Sequence, residues 1–191
     1  MSTDVQPPPT RASRDRTGRD MLIALASLLV PILLILGLLR VFGGSDPVVV
    51  DTTAAVDDAK AAKLFPVVVP QGLSDGWKAV QATFRRTEDG TTGTLRLGYL
   101  SPTGGQVLLV ESNEDLDTTF DQEVGADARQ EGGVQVGEKP WTSWACSDGE
   151  WALTDAVLEN GGSTDARLIR LTIVIGRAGH DELTALAASL A

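Results

Sequence analysis

The sequence contains very few of the residues that usually bind metals or act as nucleophiles. Its 191 residues include one cysteine and one histidine. A lone cysteine excludes an intramolecular disulfide, so the fold must be stable through its core. A zinc site needs several Cys or His ligands, and one residue of each type cannot supply them. We therefore expect no metal site and no cofactor.

The same scarcity bears on catalysis. Cys146 lies in an aromatic, strand-like stretch, where a buried inert thiol is common, and His180 lies at a predicted helix start. A catalytic dyad would require these two distant residues to meet in the fold. The sequence has no Gly-x-Ser-x-Gly motif, and its Gly-Gly pairs lack the lysine of a phosphate-binding loop. We therefore predict no catalytic residues and expect that the protein is not an enzyme.

Basic side chains are scarce beyond Arg40. That part of the chain contains 11 Lys and Arg and 23 Asp and Glu, which gives a net charge of −12. Nucleic-acid binding needs clustered basic side chains, so this balance excludes nucleic acid as a partner. In the acidic segment 111–123, a calcium-loop template starting at Asn113 meets Thr118 instead of Gly and Val124 instead of Glu. The segment is more typical of a solvated helix face, and an irregular calcium site there stays open.

One long hydrophobic run dominates the sequence. Met21 to Leu39 contains no charged residue, and its helix would be about 28 Å long, close to the ~30 Å core of a bilayer. A cleaved secretion signal would have a shorter apolar core and a small-residue cleavage site, which residues 40–44 do not provide. We predict an uncleaved membrane anchor that contacts lipid through residues 21–41.

The charges that flank this run predict its orientation. Four arginines precede it: Arg11, Arg14, Arg16 and Arg19. Beyond it, Arg40 is followed by no basic residue until Lys60. Basic flanks remain on the cytoplasmic side. We therefore expect a single-pass plasma-membrane protein with a cytoplasmic N-terminus and an extracytoplasmic C-terminal domain.

This topology divides the chain into four parts. Residues 1–20 are proline-rich and poor in apolar side chains, which predicts a disordered cytoplasmic tail. The anchor at 21–41 is followed by a predicted stalk at 42–53. Residues 54–191 are long enough for one exported domain.

The exported part shows mainly β patterning between two helices. Thr52 or Thr53 can cap a helix that ends before Pro66, and residues 180–190 repeat apolar side chains at helical spacing. Between them, alternating segments are separated by turn residues, and 167–175 has the strongest strand pattern, which suggests a central position. Residues 113–124 predict a short acidic helix. We expect an α+β domain whose antiparallel sheet has five to seven strands, with a helix near each end packed on one face.

Tryptophans supply the candidate binding surface. Trp141 and Trp144 are three residues apart, so on a strand they would face opposite sides. Exposed tryptophans favour protein interfaces and stacking on sugars, whereas the alternative is that all four tryptophans fill the core. We take Trp141, Trp144 and Trp77 as the candidate interaction surface.

Three stretches of the exported part occur in an order found together in one family. They are Phe65 to Pro70 with Gly76 and Trp77, Leu97 to Pro102, and Glu182 to Leu190. Together with the hydrophobic run, they resemble an actinobacterial family of membrane proteins, the domain-of-unknown-function family numbered 4245. The resemblance implies a single-pass envelope protein. It implies no activity, cofactor or catalytic residue.

Two function hypotheses follow. The first is a membrane-tethered extracytoplasmic binding module for an envelope protein or a cell-wall ligand, which predicts an apolar or aromatic patch on a sheet face that the helices leave bare. The alternative is an envelope enzyme with a carboxylate-based hydrolytic mechanism, which predicts a deep pocket with at least two carboxylates of raised pKa. Assembly through the anchor is weakened, because Ser27 and Gly37 form no small-xxx-small face.

Overall fold

The computed structural model describes residues 18–42, 48–159 and 167–190. The chain divides into two compact units, residues 1–46 and 47–191, and the predicted stalk contains the boundary. The predictions that concern residues 1–17, including Arg11, Arg14 and Arg16, and residues 43–47 lie outside the described part.

The first unit contains helix α1 (Gly18–Phe42), which includes the predicted anchor. Its window Met21–Leu38 has a mean hydropathy of 2.8, and the side chains of this window are exposed. Pro31 lies inside the helix, which membrane helices tolerate. Within the described residues, α1 is the one helix whose length and composition would allow it to cross a membrane; secretion signals meet the same criteria.

The second unit is built on a seven-stranded antiparallel sheet in the described residues. The strands are β1 (Lys78–Arg86), β2 (Gly93–Leu100), β3 (Gln106–Ser112), β4 (Arg129–Val136), β5 (Lys139–Ala145), β6 (Trp151–Glu159) and β7 (Arg167–Gly176). Their order in the sheet is β1-β2-β3-β7-β6-β5-β4. The helices of this unit are α2 (Thr53–Ala62), α3 (Leu116–Glu123) and α4 (His180–Ala188). The α+β prediction is confirmed, and β7 occupies the centre of the sheet, as its sequence predicts.

Both faces of the sheet are apolar, and each carries its own core. On the first face, Leu109, Leu153 and Val174 are fully buried. Helix α2 covers β1 and β2 there, and α4 packs on β6 and β7. The helices contribute apolar stripes to the same core cluster: Val56, Ala59, Leu183, Leu186 and Ala187. The prediction of a helix near each end on one face is therefore confirmed.

The second face carries a smaller core beneath α3. Phe120 and Val124 pack with Val110, Ile173 and Ala152 in one cluster. The Asp115 side chain starts the helix by accepting a hydrogen bond from the Thr118 N–H at 2.9 Å. Since α3 has only eight residues, it covers part of this face.

Two local expectations need correction. Thr52 is the residue before α2, but its helical backbone (φ −84°, ψ −11°) does not direct its hydroxyl to the first turn, and it makes no capping bond. The Asp51 carboxylate accepts from the Thr53 N–H at 2.9 Å instead. The pair Gly132-Gly133 predicts a turn before a short strand at 134–136. Strand β4 instead begins at Arg129, because a bulge between Gln130 and Gly132 lets it pass through the glycine pair.

An extended segment links the two halves of the first face. Phe65 to Pro70, called the arm below, follows α2 and ends in an isolated bridge to Leu190. The next residue, Gln71, donates its backbone N–H to the Ser189 carbonyl at 2.8 Å. Phe65 is buried in the first-face core. The arm is therefore anchored at both ends and lies over the centre of the sheet.

Candidate functional site

A buried polar cluster lies beneath the arm on the first face. Antiparallel register places Glu111 of β3, Thr172 of β7 and Asp155 of β6 side by side in one row. Arg170 precedes Thr172 by two residues on β7, so it shares that face. Glu111 is 0 % exposed, Thr172 1 % and Arg170 6 %. The centre of an otherwise apolar face thus holds two carboxylates and one guanidinium.

The cluster holds the arm through its backbone. The Val68 N–H donates to both carboxylate oxygens of Glu111, each at 3.2 Å. Arg170 donates from Nη1 to the Pro66 carbonyl at 2.9 Å. One acid and one base from neighbouring strands therefore bind two adjacent peptide groups of the arm.

The ionic contacts inside the cluster are longer than hydrogen bonds. Arg170 Nε lies 3.8 Å from Glu111 Oε1, and Arg170 Nη2 lies 4.0 Å from Asp155 Oδ2. Among the described residues, neither Arg170 Nε nor Thr172 Oγ1 has a hydrogen-bond partner. Burial raises the pKa of Glu111 to about 7, against the lowering influence of Arg170 and of the Val68 N–H. This carboxyl group therefore titrates near neutrality, unlike an ordinary glutamate.

The sequence analysis missed this cluster. The sequence groups Glu111 with the acidic segment 111–123, and the alternation of β7, with Ile169, Leu171 and Ile173 on one side, indicates Arg170 and Thr172 as the more polar face. That interpretation assumes that one face of the sheet is solvated. Here both faces are covered, so the polar residues of the central strand are also buried. The sequence feature that could have indicated the cluster is Arg170, an arginine inside the most apolar strand.

A shallow groove of about 350 Å³ occupies the part of the second face that α3 leaves uncovered. Its floor and rim include Gln81, Gly98, Gln106, Leu108, Ile175 and Gly176. A Cβ at Gly176 would lie 2.0 Å from the Gln106 carbonyl oxygen, so the close approach of β3 and β7 there requires glycine. The groove is open, and it crosses the middle strands of the sheet.

Two ion pairs stand beside this groove. Arg177 Nε lies 3.2 Å from Glu150 Oε1, and both side chains are well exposed. Arg96 Nε donates to Glu123 Oε1 at 2.9 Å at the end of α3. Each charge has an opposite partner, so the walls carry no surplus charge of either sign.

The predicted interaction residues lie in different environments. Trp141 is 4 % exposed and belongs to the first-face core. Trp144 is half-buried, donates to Thr154 Oγ1 at 2.9 Å and packs edge-on against Phe120. Trp77 is half-buried, and its ring is edge-on to the Tyr99 ring with the ring centroids 6.5 Å apart. Trp141 therefore contributes to the core, and the interaction hypothesis for Trp77 and Trp144 stays a prediction.

Trp151 is the tryptophan that sequence reasoning left out of that surface. It is 36 % exposed, and its ring lies 5.4 Å from the His180 ring at an angle of 89°. Cys146 belongs to the second-face cluster, whereas His180 begins α4 on the first face. Burial, with smaller contributions from Glu150 and Asp127, raises the pKa of the Cys146 thiol. Cys146 and His180 therefore lie on different faces of the sheet.

The acidic residues of segment 111–123 make different contacts. Glu111 lies under the arm, Asp115 caps α3, and Glu123 pairs with Arg96. In the part of the chain that the structure describes, no group of three or more His, Cys, Asp or Glu side chains is arranged to hold a metal ion. The described residues of this segment therefore offer no arrangement of side chains on which a calcium site could be proposed.

Comparison with known proteins gives one match. The model of a family described as "Protein of unknown function (DUF4245)" matches residues 14–190. No curated protein matches the chain, and no solved structure does. The predicted actinobacterial origin is not tested by this match and stays a prediction.

Proposed function

The chain belongs to the DUF4245 family, and because the function of that family is unknown, we propose a role from the geometry of the domain. The protein is a membrane-tethered binding module. Its uncovered sheet face contacts a partner protein of the bacterial envelope. Residues 21–41 hold the module at the plasma membrane, and the sheet domain lies on the extracytoplasmic side.

The observation that carries this proposal is the groove on the second face. Half-buried Leu108 and the backbone at Gly98 and Gly176 offer apolar surface and peptide groups, and the exposed amides of Gln81 and Gln106 border them. Amides and peptide groups both donate and accept hydrogen bonds. This mixture suits a polypeptide segment better than an anionic ligand, because the neighbouring arginines are already paired with carboxylates.

The orientation rests on the sequence that surrounds α1. Four arginines precede the apolar run and none of the next nineteen residues after Arg40 is basic. Such an asymmetry keeps the N-terminus in the cytoplasm. The acidic domain beyond the stalk, with its net charge of −12 from 11 basic and 23 acidic residues, then faces the outside, where a tether keeps it close to envelope partners.

Binding is favoured over catalysis by the position of the titrating carboxyl. A hydrolytic site needs an acid and a base that a substrate can reach. Glu111 is the described carboxyl whose pKa is raised, and it lies at 0 % exposure beneath the arm. The groove on the opposite face has carboxylates that are paired with arginines. The carboxylate enzyme therefore has less support than the binding module.

Cross-linking in cells tests this proposal. The full-length chain is compared as wild type, as Gln106→Trp, which fills the groove from an exposed rim position, and as Gln135→Trp, which makes the same change on exposed β4. After chemical cross-linking and mass spectrometry, we expect a partner protein that is retained by Gln135→Trp and lost from Gln106→Trp. Equal recovery from both variants would exclude the groove as the contact, and recovery of no protein at all would direct attention to a cell-wall ligand.

A further inference from the structure

The polar cluster under the arm contains one charge more than it can neutralise. Glu111 and Asp155 are two carboxylates, and Arg170 is the single guanidinium between them. With all three ionised, the cluster carries one surplus negative charge, and Glu111 is its fully buried carboxylate, since the Asp155 side chain keeps 18 % exposure. Burying such a charge is costly, and the usual relief is uptake of a proton or entry of water. This count holds whatever the strength of the individual contacts.

The surrounding elements offer no further charge to balance the cluster. The arm, Phe65 to Pro70, contains no titratable side chain. Helix α2 faces the sheet with Val56 and Ala59, and α4 faces it with Leu183, Leu186 and Ala187. On β2, the cross-strand neighbour of Glu111 is Leu95. Within the described residues, Arg170 and Asp155 are therefore the charged groups that share this pocket with Glu111.

We propose that the arm is a proton-controlled cover of the first sheet face: it closes when the cluster of Glu111, Asp155 and Arg170 holds one proton and loosens when that proton is released. The two arm contacts are made by charged side chains of this cluster. Glu111 accepts from the Val68 N–H, and Arg170 donates to the Pro66 carbonyl. Lifting the arm would admit water to the carboxylates and remove the cost of their charge.

The direction of the effect follows from linkage. The closed arm removes Glu111 from water, which raises its pKa from 4.5 to about 7. An open arm returns the group to water, where it loses its proton more easily. Proton uptake therefore accompanies closure, and the arm loosens as the pH rises through neutrality. This device lies on the face opposite the proposed binding groove and does not depend on that function.

Hydrogen exchange of the full-length chain in nanodiscs tests the cover. The informative amide is that of Val68, which donates to Glu111, followed between about pH 5.5 and about pH 8 and corrected for intrinsic exchange. We expect its protection to fall about tenfold or more over this range, as linkage to a carboxyl with a pKa raised by two or more units allows. Amides of β7 should keep their protection, because the sheet itself remains folded.

Two substitutions separate the proposal from a purely structural role. Glu111→Gln keeps an acceptor for the Val68 N–H without a titrating group, so arm protection should become independent of pH. Glu131→Gln on exposed β4 is the matched control and should behave as wild type. Asp155→Asn removes the surplus charge, so the ionised Glu111–Arg170 pair should keep its cover and the loss of arm protection with rising pH should become smaller than in the wild type.

Three results would overturn the proposal. Arm protection in the wild type that does not change with pH would do so. A pH dependence that persists in Glu111→Gln would also do so, as would a loss of protection that spreads equally to β7. If Glu111→Gln fails to fold, Asp155→Asn decides the question, and a loss of arm protection as large as that of the wild type counts against the proposal.

Discussion

Replacing Glu111 by Gln should change how the stability of the domain depends on pH. The pKa of this carboxyl is 4.5 in ordinary surroundings and about 7 in the folded chain. Because the folded state holds the proton more tightly, the stability from this group is fully present below about pH 4.5 and is lost as the pH rises through about 7. At about 1.4 kcal/mol per pKa unit, the loss is about 3 kcal/mol.

Glutamine resembles the protonated carboxyl in shape and charge, so the variant should not show this loss. Asp155 still neutralises Arg170 at 4.0 Å, so the substitution leaves no unpaired guanidinium. We therefore expect wild type to lose about 3 kcal/mol relative to Glu111→Gln between about pH 5 and about pH 8. Near pH 8 the variant should be at least as stable as the wild type.

The assay is urea unfolding of the full-length chain in detergent, followed by tryptophan fluorescence over a series of pH values. Glu131→Gln, an exposed change of the same kind on β4, corrects for the titration of the remaining groups. If Glu111→Gln follows the same pH profile as Glu131→Gln, then Glu111 does not titrate in this range and the reasoning about the buried cluster is wrong.

Three further predictions concern single residues. Thr172→Val removes a buried hydroxyl that has no partner among the described residues, so we expect an increase in unfolding free energy of about 1 kcal/mol in urea melts; a clear loss would contradict this. Gly176→Ala places a Cβ 2.0 Å from the Gln106 carbonyl oxygen and should destabilise the domain by about 2 kcal/mol or more, seen as a lower melting temperature. In Gly133→Ala the new Cβ has its nearest atom at 3.9 Å, so this variant should lower the melting temperature much less. Cys146, with its pKa raised by burial, should react with iodoacetamide at neutral pH more slowly than a free thiol; equal rates would show that the group is solvated.

Much of the fold follows from local patterns in the sequence. The alternation of Leu95, Leu97 and Tyr99 places all three in the first-face core, and the spacing of Leu183 and Leu186 gives the buried stripe of α4. These segments are predictable because period-two and period-3.6 patterns record which face is covered. The central place of β7 follows from its length and its apolar character for the same reason.

The buried cluster was not predictable in the same way. A glutamate near the end of an apolar strand and an arginine inside one are each more often exposed than buried. Their burial depends on β3 and β7 being neighbours and on the arm crossing above them, and neither relation is written in the local sequence. Pro66 and Pro70 predict that the arm is extended, but its partners Glu111 and Arg170 are 43 and 104 residues distant from their arm contacts.

The interaction surface predicted from residue type differs from the groove that the structure shows. Tryptophans indicate aromatic surface, but Trp141 fills the core while Trp151, which was left out, is the exposed one. The groove is formed instead by glycines, glutamines and aliphatic side chains of β1, β2, β3 and β7. No composition signal marks such a surface, because it depends on which part of the second face the short helix α3 fails to cover.

Site-resolved photo-cross-linking in living cells tests the binding proposal most directly. A photoreactive residue is placed at Gln81 or Gln106 on the groove rim, and at Gln71 or Gln135 as exposed positions outside it. The account predicts one cross-linked partner from both rim positions and none from the other two. The same adducts from all four positions, or adducts from Gln71 and Gln135 alone, would contradict the claim that the uncovered sheet face is the binding surface.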